Sequence, residues 1–378
     1  MRTAKGLERR LRRRFSTDYT RLRSQAVDSA NRQDFAACPN HRNYGLLPKE
    51  NDLERALART AWILVTFITL TACARTGSQS SAAASPGAAG AHKTIGVSIQ
   101  NREAQFYQDM ESGMRARAAK YGYSLVVVDA SRDNAKQQSQ VEDFISKRVD
   151  AIVLTPYDSQ AIGSAIAEAN AAGIPVFTAD IASASKQGQV VTHVASDNVQ
   201  GGFQAGKLLC AAIGNHGSVA IVDEPEVTSV QDRVKGFKAA IAQLCPTVTV
   251  VADVDSGGTR DKASSDTGDI IQAHRDLKGI FGINDDSALG ALAAVKAAGA
   301  TGKIAIVGYD ASSEARAAIA TGGMYGDAIQ YPATIGATTI DVIHDYFAGH
   351  KPAPAVKIAV GTFTQADIVR RRAGQVRP

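Results

Sequence analysis

The sequence predicts an α/β fold built from two doubly wound, parallel-sheet lobes. From Thr94 onward, short runs rich in β-branched residues alternate with longer amphipathic stretches, a pattern typical of strands alternating with helices. The strand-like runs are continuously apolar, as is usual for parallel strands buried on both faces. About ten such runs are too many for one open sheet of this kind, whereas two lobes fit the usual domain size.

The first part of this region predicts five strands and three helices. The strands are "TIGVSI" (94–99), "SLVVVD" (124–129), "AIVLT" (151–155), "PVFTA" (175–179) and "VVTHVAS" (190–196). Helices are expected near 104–121, 134–147 and 159–172. In the first helix, Phe106, Met110 and Met114 recur at the four-residue spacing of a buried helix face.

The pattern restarts with a predicted helix at 198–213. The strands that follow are "SVAIVD" (218–223), "TVTVVAD" (247–253), "GIFGIN" (279–284), "KIAIVGYD" (303–310) and "MYGDAIQ" (324–330). Helices are expected near 229–244, 260–275, 286–298, 312–321 and 332–348. This second series is the basis for a second lobe.

Polar side chains recur where the predicted strands end. Ligands of open α/β sheets bind outside the carboxyl ends of the strands, so these residues are candidate contacts. They are Gln100, Asn101, Asp129, Asp158, Asp180, Asp197, Asn198, Asp223, Glu224, Asn284, Asp285, Asp310 and Gln330. We interpret Asp129 and Asp158 as helix caps or turn residues. The remaining residues favour two facing polar surfaces that close on a molecule rich in hydroxyl groups.

The motifs of common enzymes are missing from the sequence. It contains no G-x-S-x-G elbow, no P-loop and no paired histidines at metal-ligand spacing. The residues after the first strand read "QNREAQF" rather than a glycine-rich dinucleotide turn. We therefore predict binding rather than catalysis, with no catalytic residues, no metal and no cofactor.

An apolar run at 61–70 ends shortly before Cys73 and is typical of a signal peptide. The run is about ten residues long, whereas a membrane-spanning helix needs about 20; the alternative is a buried core helix. The sequence "LTAC" (70–73) resembles the bacterial lipobox, whose cysteine is acylated. We expect a lipoprotein signal peptide at 53–72, a lipid anchor on Cys73 and a flexible Gly/Ser/Ala-rich linker at 73–93.

The positive charge of the chain comes from its first sixty residues. Residues 1–60 contain 14 of the 42 Lys and Arg residues and 7 of the 37 Asp and Glu residues. The remaining 28 and 30 give the rest of the chain a net charge of −2. A nearly neutral body is poorly suited to neutralising phosphates, so no nucleic-acid partner is expected. Residues 1–52 are interpreted as an over-extended gene start.

Four cysteines are present, and two of them lie in the predicted second lobe. Cys38 falls in the doubtful leader and Cys73 is the expected anchor. Cys210 and Cys245 each end a predicted helix, and an exported protein meets an oxidising compartment. They either form a disulfide or remain two buried thiols.

Several motifs, in order, resemble the periplasmic sugar-binding proteins of ATP-driven importers, specifically the ribose-binding-like group. They are "VASDNVQGG" (194–202), "DRVKGF" (232–237), "INDDSALGAL" (283–292), "VGYD" (307–310) and "AIQYPATIGA" (328–337), within a similarity from about Thr94 to Gly361. The resemblance implies two lobes joined by a three-segment hinge. The first lobe would comprise 94–196 plus 331–349, and the second 197–330 plus 350–378.

The resemblance also implies the contact residues. Phe106 and Tyr107 match adjacent ring-stacking aromatics, Asp180 matches a carboxylate after the fourth strand, and Asn284 and Asp310 match polar contacts of the second lobe. Flat rings cover the C–H faces of a sugar, while carboxylates and amides bind its hydroxyls. Gln330 matches an amide next to the hinge.

The chain departs from the ribose-binding pattern at several of these positions. Ile181 and Gln231 stand where the group has arginines, although Arg233 matches a neighbouring arginine. Ala104 replaces an asparagine, for which Gln100 and Asn101 offer substitute amides. The aromatic residue of the second lobe falls near Gly258. A different pentose, a deoxy-sugar, a polyol or another small hydroxylated molecule therefore fits better than ribose.

The resemblance implies that a monomer, anchored by lipid in the periplasm or at the cell surface, delivers a small sugar or polyol to an ABC transporter permease. Two alternatives use the same fold. One is a sensor that presents its ligand to a chemoreceptor or sensor kinase. The other is a lactose-repressor-type transcription factor, against which the export-like segment and the lack of a clear helix-turn-helix both speak.

Overall fold

The computed structural model of the protein describes residues 92–372. The predicted leader, signal peptide, Cys73 and most of the linker lie outside these residues. Within them, no helix is both long enough and apolar enough to cross a membrane.

The first six-stranded sheet contains parallel strands throughout. Its strands and helices are β1 (Thr94–Ile99), α1 (Gln105–Tyr121), β2 (Ser124–Asp129), α2 (Asn134–Ser146), β3 (Ala151–Leu154), α3 (Gly163–Ala171), β4 (Val176–Ala179), β5 (Val190–Ser196), α9 (Pro332–Phe347) and β11 (Ala355–Ile358). The strand order is β11-β5-β4-β3-β1-β2. Helices α1 and α9 cover one face, and α2 and α3 cover the other.

The second sheet also has six strands, of which only the pair β10–β12 is antiparallel. Its elements are α4 (Asn198–Ala212), β6 (Gly217–Asp223), α5 (Thr228–Leu244), β7 (Val248–Asp255), α6 (Arg260–Ala273), β8 (Leu277–Gly282), α7 (Asp285–Ala297), β9 (Ala305–Asp310), α8 (Ser313–Ala320), β10 (Gly326–Ile329), β12 (Gly361–Thr364) and α10 (Gln365–Arg372). The order is β12-β10-β9-β8-β6-β7. The predicted fold class, two doubly wound lobes, is confirmed.

The chain passes between the two sheets three times. It crosses after β5, after β10 and between β11 and β12. The last crossing corrects the predicted boundary, because residues 350–378 do not belong to the second lobe as a whole. Strand β11 pairs with β5 of the first sheet, and β12 pairs with β10 of the second.

Helices α1 and α9 approach so closely that side chains would not fit between their backbones. A Cβ atom on Gly113 would lie 2.1 Å from the carbonyl oxygen of Ala333, and one on Gly336 would lie 2.2 Å from that of Met110. The first turn of α1 carries Phe106 and Tyr107, and α9 follows directly from the second crossing.

Helices α4 and α5 are linked covalently. Cys210 in α4 and Cys245, directly after α5, form a disulfide with their Cα atoms 6.0 Å apart. Both residues are buried. The bridge lies in the apolar core of the second lobe, on the face of the sheet covered by α4 and α5.

Candidate functional site: a cleft between the two lobes

The carboxyl ends of the parallel strands of both sheets line one small cavity. It measures about 30 Å³ and includes Gln100, Phe106, Tyr107 and Asp180 of the first lobe. The second lobe contributes Glu224, Arg233, Asn284, Asp310 and Gln330. A larger outer cleft of about 430 Å³ shares Ala104, Phe106, Asn284, Asp310 and Gln330 with this inner cavity.

Gln100, directly after β1, organises the first-lobe side of the cavity. Its Oε1 accepts hydrogen bonds from the Tyr107 hydroxyl at 3.0 Å and from Asn101 Nδ2 at 3.1 Å. Asn101 does not line the cavity. Its Oδ1 accepts the backbone N–H groups of Glu103 and Ala104, which orders the turn into α1. Asn101 therefore orders the turn that precedes Phe106 and Tyr107, rather than lining the cavity itself.

The two adjacent aromatics both reach the cavity. Phe106 and Tyr107 are buried and pack edge to face, with ring centroids 5.2 Å apart. Phe106 also borders the outer cleft. The two rings therefore form an apolar wall, and the Tyr107 hydroxyl adds a polar group to it.

Asp180 is a buried carboxylate on a left-handed backbone, with φ of 66°. Its side chain lies within reach of the Tyr107 hydroxyl, 3.4 Å from Oδ2, whereas Oδ1 is buried and accepts no hydrogen bond from a described residue. Burial raises the pKa of Asp180 to about 6, although Arg233 and the Tyr107 hydroxyl oppose the rise. An unsatisfied acceptor at this depth is suited to receiving a ligand hydroxyl.

Arg233, in the first half of α5, lines the cavity, and two of its five N–H donors are engaged by the protein. Nε donates to Asn198 Oδ1 at 2.9 Å, one terminal nitrogen donates to the Ile283 carbonyl at 3.0 Å, and the guanidinium lies 4.1 Å from the centre of the Tyr309 ring. Gln231 points elsewhere. It is exposed and donates to the carbonyl of Pro225 at 2.8 Å. Two residues along a helix turn the side chain by about 200°, so Gln231 and Arg233 cannot both face the cleft.

The other predicted second-lobe residues line the cavity together. Asn284 caps α7 by accepting the N–H of Ser287 at 2.8 Å, and its Nδ2 donates to the Gly258 carbonyl at 3.1 Å. Gln330 Nε2 donates to Asp310 Oδ1 at 2.7 Å. Burial raises the pKa of the Asp310 carboxyl well above its ordinary value, with Arg233 opposing the rise. Gln330 Oε1 is buried without a donor among the described residues.

Two charged cavity residues were not among the contacts implied by the resemblance, although Glu224 was among the polar residues at strand ends. Arg132, in the loop after β2, donates to Glu224 Oε1 at 3.1 Å across the two lobes, and Gln100 Nε2 donates to the same oxygen at 3.4 Å. Glu224 directly follows β6, so its place at a strand end was a usable signal. Arg132 lies in a loop and carried none.

Further hydrogen bonds join the rims of the lobes. The Ser159 N–H donates to the Glu226 carbonyl at 3.1 Å, the Ala182 N–H donates to Thr228 Oγ1 at 3.1 Å, and the Ser313 hydroxyl donates to Gln105 Oε1 at 2.7 Å. Asp158 acts as a turn residue, as expected, because its Oδ1 accepts the N–H groups of Gln160 and Ala161. These bonds hold the two lobes together along the rims of the cleft.

The described residues contain no group of side chains that could bind a metal ion, at the cleft or elsewhere. Between 92 and 372, no three His, Cys, Asp or Glu side chains gather in a group that could hold a metal ion. The converging groups are hydrogen-bonding carboxylates, amides and an arginine, next to two aromatic rings. Such a set can bind a neutral, hydroxylated molecule.

Comparison with known proteins places this fold and cleft in a family. The periplasmic binding protein domain matches residues 95–351. The ribose import binding protein of Bacillus subtilis is 34% identical over 274 residues, which are 72% of this chain and 87% of that protein. The xylitol-binding protein of Mycolicibacterium smegmatis is 30% identical over 240 residues, 63% of this chain and 67% of that one.

A solved structure agrees with these relatives. The periplasmic solute-binding protein of an ABC transporter from Actinobacillus succinogenes, with bound D-allose, superposes with a TM-score of 0.68 at 28% identity. The match covers 72% of this chain and 98% of that one. By its domain match, its relatives and its fold, the chain belongs to the periplasmic binding protein family.

Proposed function

We propose that this protein binds one small sugar or polyol between its two lobes and delivers it to the permease of an ABC transporter, outside the cytoplasm. The main support is the convergence of Asp180, Asp310 and Gln330 from both sheets on one cavity. Asp180 Oδ1 and Gln330 Oε1 are buried there as acceptors without a donor from residues 92–372. Relatives named for ribose and xylitol give independent support.

The ligand would be held by complementary polar and apolar contacts. A sugar or polyol hydroxyl both donates and accepts, so it can donate to Asp180 or Gln330 while accepting from an arginine or amide. Phe106 and Tyr107 would cover a C–H face. Hydrogen bonds join the rims of the two lobes, so a ligand would enter when the lobes separate at the three crossings.

Binding of a ligand without any chemical reaction accounts for the residues that line the cleft. The relatives are binding proteins of importers rather than enzymes. Closure around the ligand creates a surface that spans both lobes. A permease can bind this surface and so recognise the ligand-loaded form. Since both lobes come from one chain, a monomer is sufficient.

The proposed location adds an anchor to this scheme. A signal peptide at 53–72 would direct export, Cys73 would carry the lipid, and the linker at 73–93 would hold the lobes near the membrane. Intact mass of the protein purified from its own membranes is the direct measurement. We expect the mass of a chain that begins at Cys73 and carries the acyl groups. The mass of a chain that begins at Met1 would contradict both the signal peptide and the anchor.

A thermal-shift panel tests the binding function. The purified protein is heated with glycerol, xylitol, D-ribose, D-allose and myo-inositol, with free amino acids as the control class. At a hundredfold excess over the dissociation constant, a true ligand adds about 2.7 kcal/mol to the free energy of unfolding. At least one sugar or polyol should raise the melting temperature. A response to amino acids alone, or to no compound, would rule the proposal out.

A further inference from the structure

Two buried carboxyl groups of the second lobe face each other between α7 and β10. Asp285 begins α7 and is 5% exposed, and Asp327 lies in β10 with no exposed surface. The position that a Cβ atom on Gly308 would take lies 2.3 Å from Asp327 Oδ1 and 3.0 Å from the Cβ atom of Ala288. Ala288 is three residues after Asp285, on the same side of α7. The Asp327 side chain therefore points toward the first turn of this helix.

The two carboxyl groups lack the donors that a pair of carboxylates would need. Asp285 Oδ2 accepts the Ser312 N–H at 2.6 Å. Asp285 Oδ1 and both oxygens of Asp327 are buried and accept no well-formed hydrogen bond from an N–H or hydroxyl group of residues 92–372. The two side chains instead hydrogen-bond to each other. Because a carboxylate can only accept, this bond requires a proton on one of the two groups.

The neighbouring charges do not replace this proton. Arg316 of α8 is the cation that acts on Asp327, but its Nε donates to the Ala311 carbonyl at 2.6 Å. Asp310, at the end of β9, adds a third buried carboxyl group. Asp285, Asp310 and Asp327 do not gather into a group that could hold a metal ion. The negative charge between α7 and β10 is therefore best reduced by a proton.

Burial has the largest effect on the acidity of both groups. It raises the pKa of Asp327 to about 7 and the pKa of Asp285 well above its ordinary value, and a neighbouring carboxyl group adds to the rise in each case. The Ser312 N–H opposes the rise at Asp285, and the Gly308 N–H opposes it at Asp327. Arg260, on the adjacent helix α6, is engaged in ion pairs with two other carboxylates.

Asp285 holds a strained loop that carries a residue of the ligand cavity. Asp310 and Ala311 have φ angles of 114° and 57°, which are costly for residues other than glycine. The next residue, Ser312, is fixed by its hydrogen bond to Asp285. Asp310 itself lines the inner cavity. Loss of the shared proton would place two negative charges side by side next to this loop and oppose its arrangement.

We propose, on the basis of the sugar- or polyol-binding function above, that Asp285 and Asp327 share one proton and that this proton positions Asp310 for the ligand. Asp327 is then a positioning residue, because it acts through Asp285 and the loop. Ligand binding should weaken when the proton is removed. An amide at position 327 would replace the proton, since its N–H can donate to Asp285 at any pH.

Urea denaturation of the ligand-free protein from about pH 6.5 to about pH 9 tests the shared proton, above the pKa of Asp180. While the pair keeps a proton that the unfolded chain has lost, the folding equilibrium constant should fall about tenfold per pH unit on account of the pair. Asp327→Asn and Asp285→Asn should each remove this part of the slope. The matched control is Asp269→Asn, on the exposed side of α6, which should keep the parental slope. Equal slopes in the parent and both amide variants of the pair would overturn the proposal.

Calorimetric titration tests the positioning of Asp310, with whichever of glycerol, xylitol, D-ribose, D-allose and myo-inositol most stabilises the parent. Parental affinity should fall about tenfold between about pH 6.5 and about pH 9, an ordinary coupling between two sites, and that of Asp327→Asn much less. A parental affinity that does not change with pH, or an equal fall in Asp327→Asn, would overturn the positioning and leave the proposed function standing. Failure of all five compounds to bind would refute the proposed function, and the denaturation curves would still decide whether the proton is shared.

Discussion

Gln330, at the second crossing between the lobes, donates a hydrogen bond of 2.7 Å to the carboxylate of Asp310 at the end of β9. Gln330, at a crossing between the lobes, is thus hydrogen-bonded to Asp310, which lines the cavity. The hydrogen bond orients a carboxylate that would face the ligand.

Replacing this amide should weaken binding. Gln330→Met keeps most of the volume but removes both the donor to Asp310 and the free acceptor Oε1. We expect affinity for the compound that most stabilises the parent to fall by up to about tenfold, since a neutral hydrogen bond contributes about 0.5–1.5 kcal/mol. Calorimetry measures the loss, with Gln231→Met on the exposed side of α5 as the control. Equal losses in the two variants would contradict the assignment of the cleft.

The buried carboxyl of Asp180 should make ligand-free stability depend on pH. Its pKa is raised to about 6, so between its ordinary value and 6 the folded protein binds more protons at this site than the unfolded chain does. Stability should therefore fall as pH rises from about 4 to about 6. The shift corresponds to at most about 3 kcal/mol. Urea denaturation of the parent and of Asp180→Asn across this range measures it, and the variant should show a shallower slope. Parallel curves for the two proteins would exclude the shift.

The disulfide should contribute to the stability of the second lobe. The two cysteines are 35 residues apart in sequence, and loop entropy for that length corresponds to about 4 kcal/mol. Reduction should lower the urea midpoint of the parent. The double variant Cys210→Ala, Cys245→Ala should show a similarly low midpoint that reductant does not lower further. A parent midpoint that is insensitive to reductant would show that the bridge has no such role.

Gly258 and Glu224 should be energetically coupled. Gly258→Ala places a Cβ atom against the Glu224 carboxylate on a backbone with φ of 61°, which costs about 1–2 kcal/mol for the conformation alone. The steric part of the cost should disappear when Glu224 is also replaced by Ala. A double-mutant cycle of unfolding free energies isolates this part. Strictly additive effects would mean that the two residues do not contact.

The alternation of strands and helices was predictable from the spacing of apolar residues. Buried strands are continuous apolar runs, whereas helices place apolar residues every three or four positions. Strands β11 and β12 were missed, since each is a four-residue edge strand that is only partly buried. "AVKI" and "GTFT" lack the continuous apolar run of the central strands. Their partners lie far away in sequence, and nothing local specifies which sheet each one joins.

The site was predictable where position along a strand decided it. Asp180 directly follows β4, Asn284 lies two residues after β8, and Asp310 ends β9, so topology alone brings them to the cleft. The prediction that Gln231 contacts the ligand was wrong, because only one face of α5 lies toward the cavity. Arg233 occupies that face. Arg132 could not be found, because its role depends on the closure of one lobe upon the other.

The third crossing has a consequence for how the protein comes into being. Without residues 355–364, β5 and β10 would each be left as an exposed sheet edge, a ready template for pairing with another chain. Neither lobe can be completed until nearly the whole polypeptide has been synthesised. A chain cut short before Ala355 would therefore be prone to aggregate rather than yield one finished half.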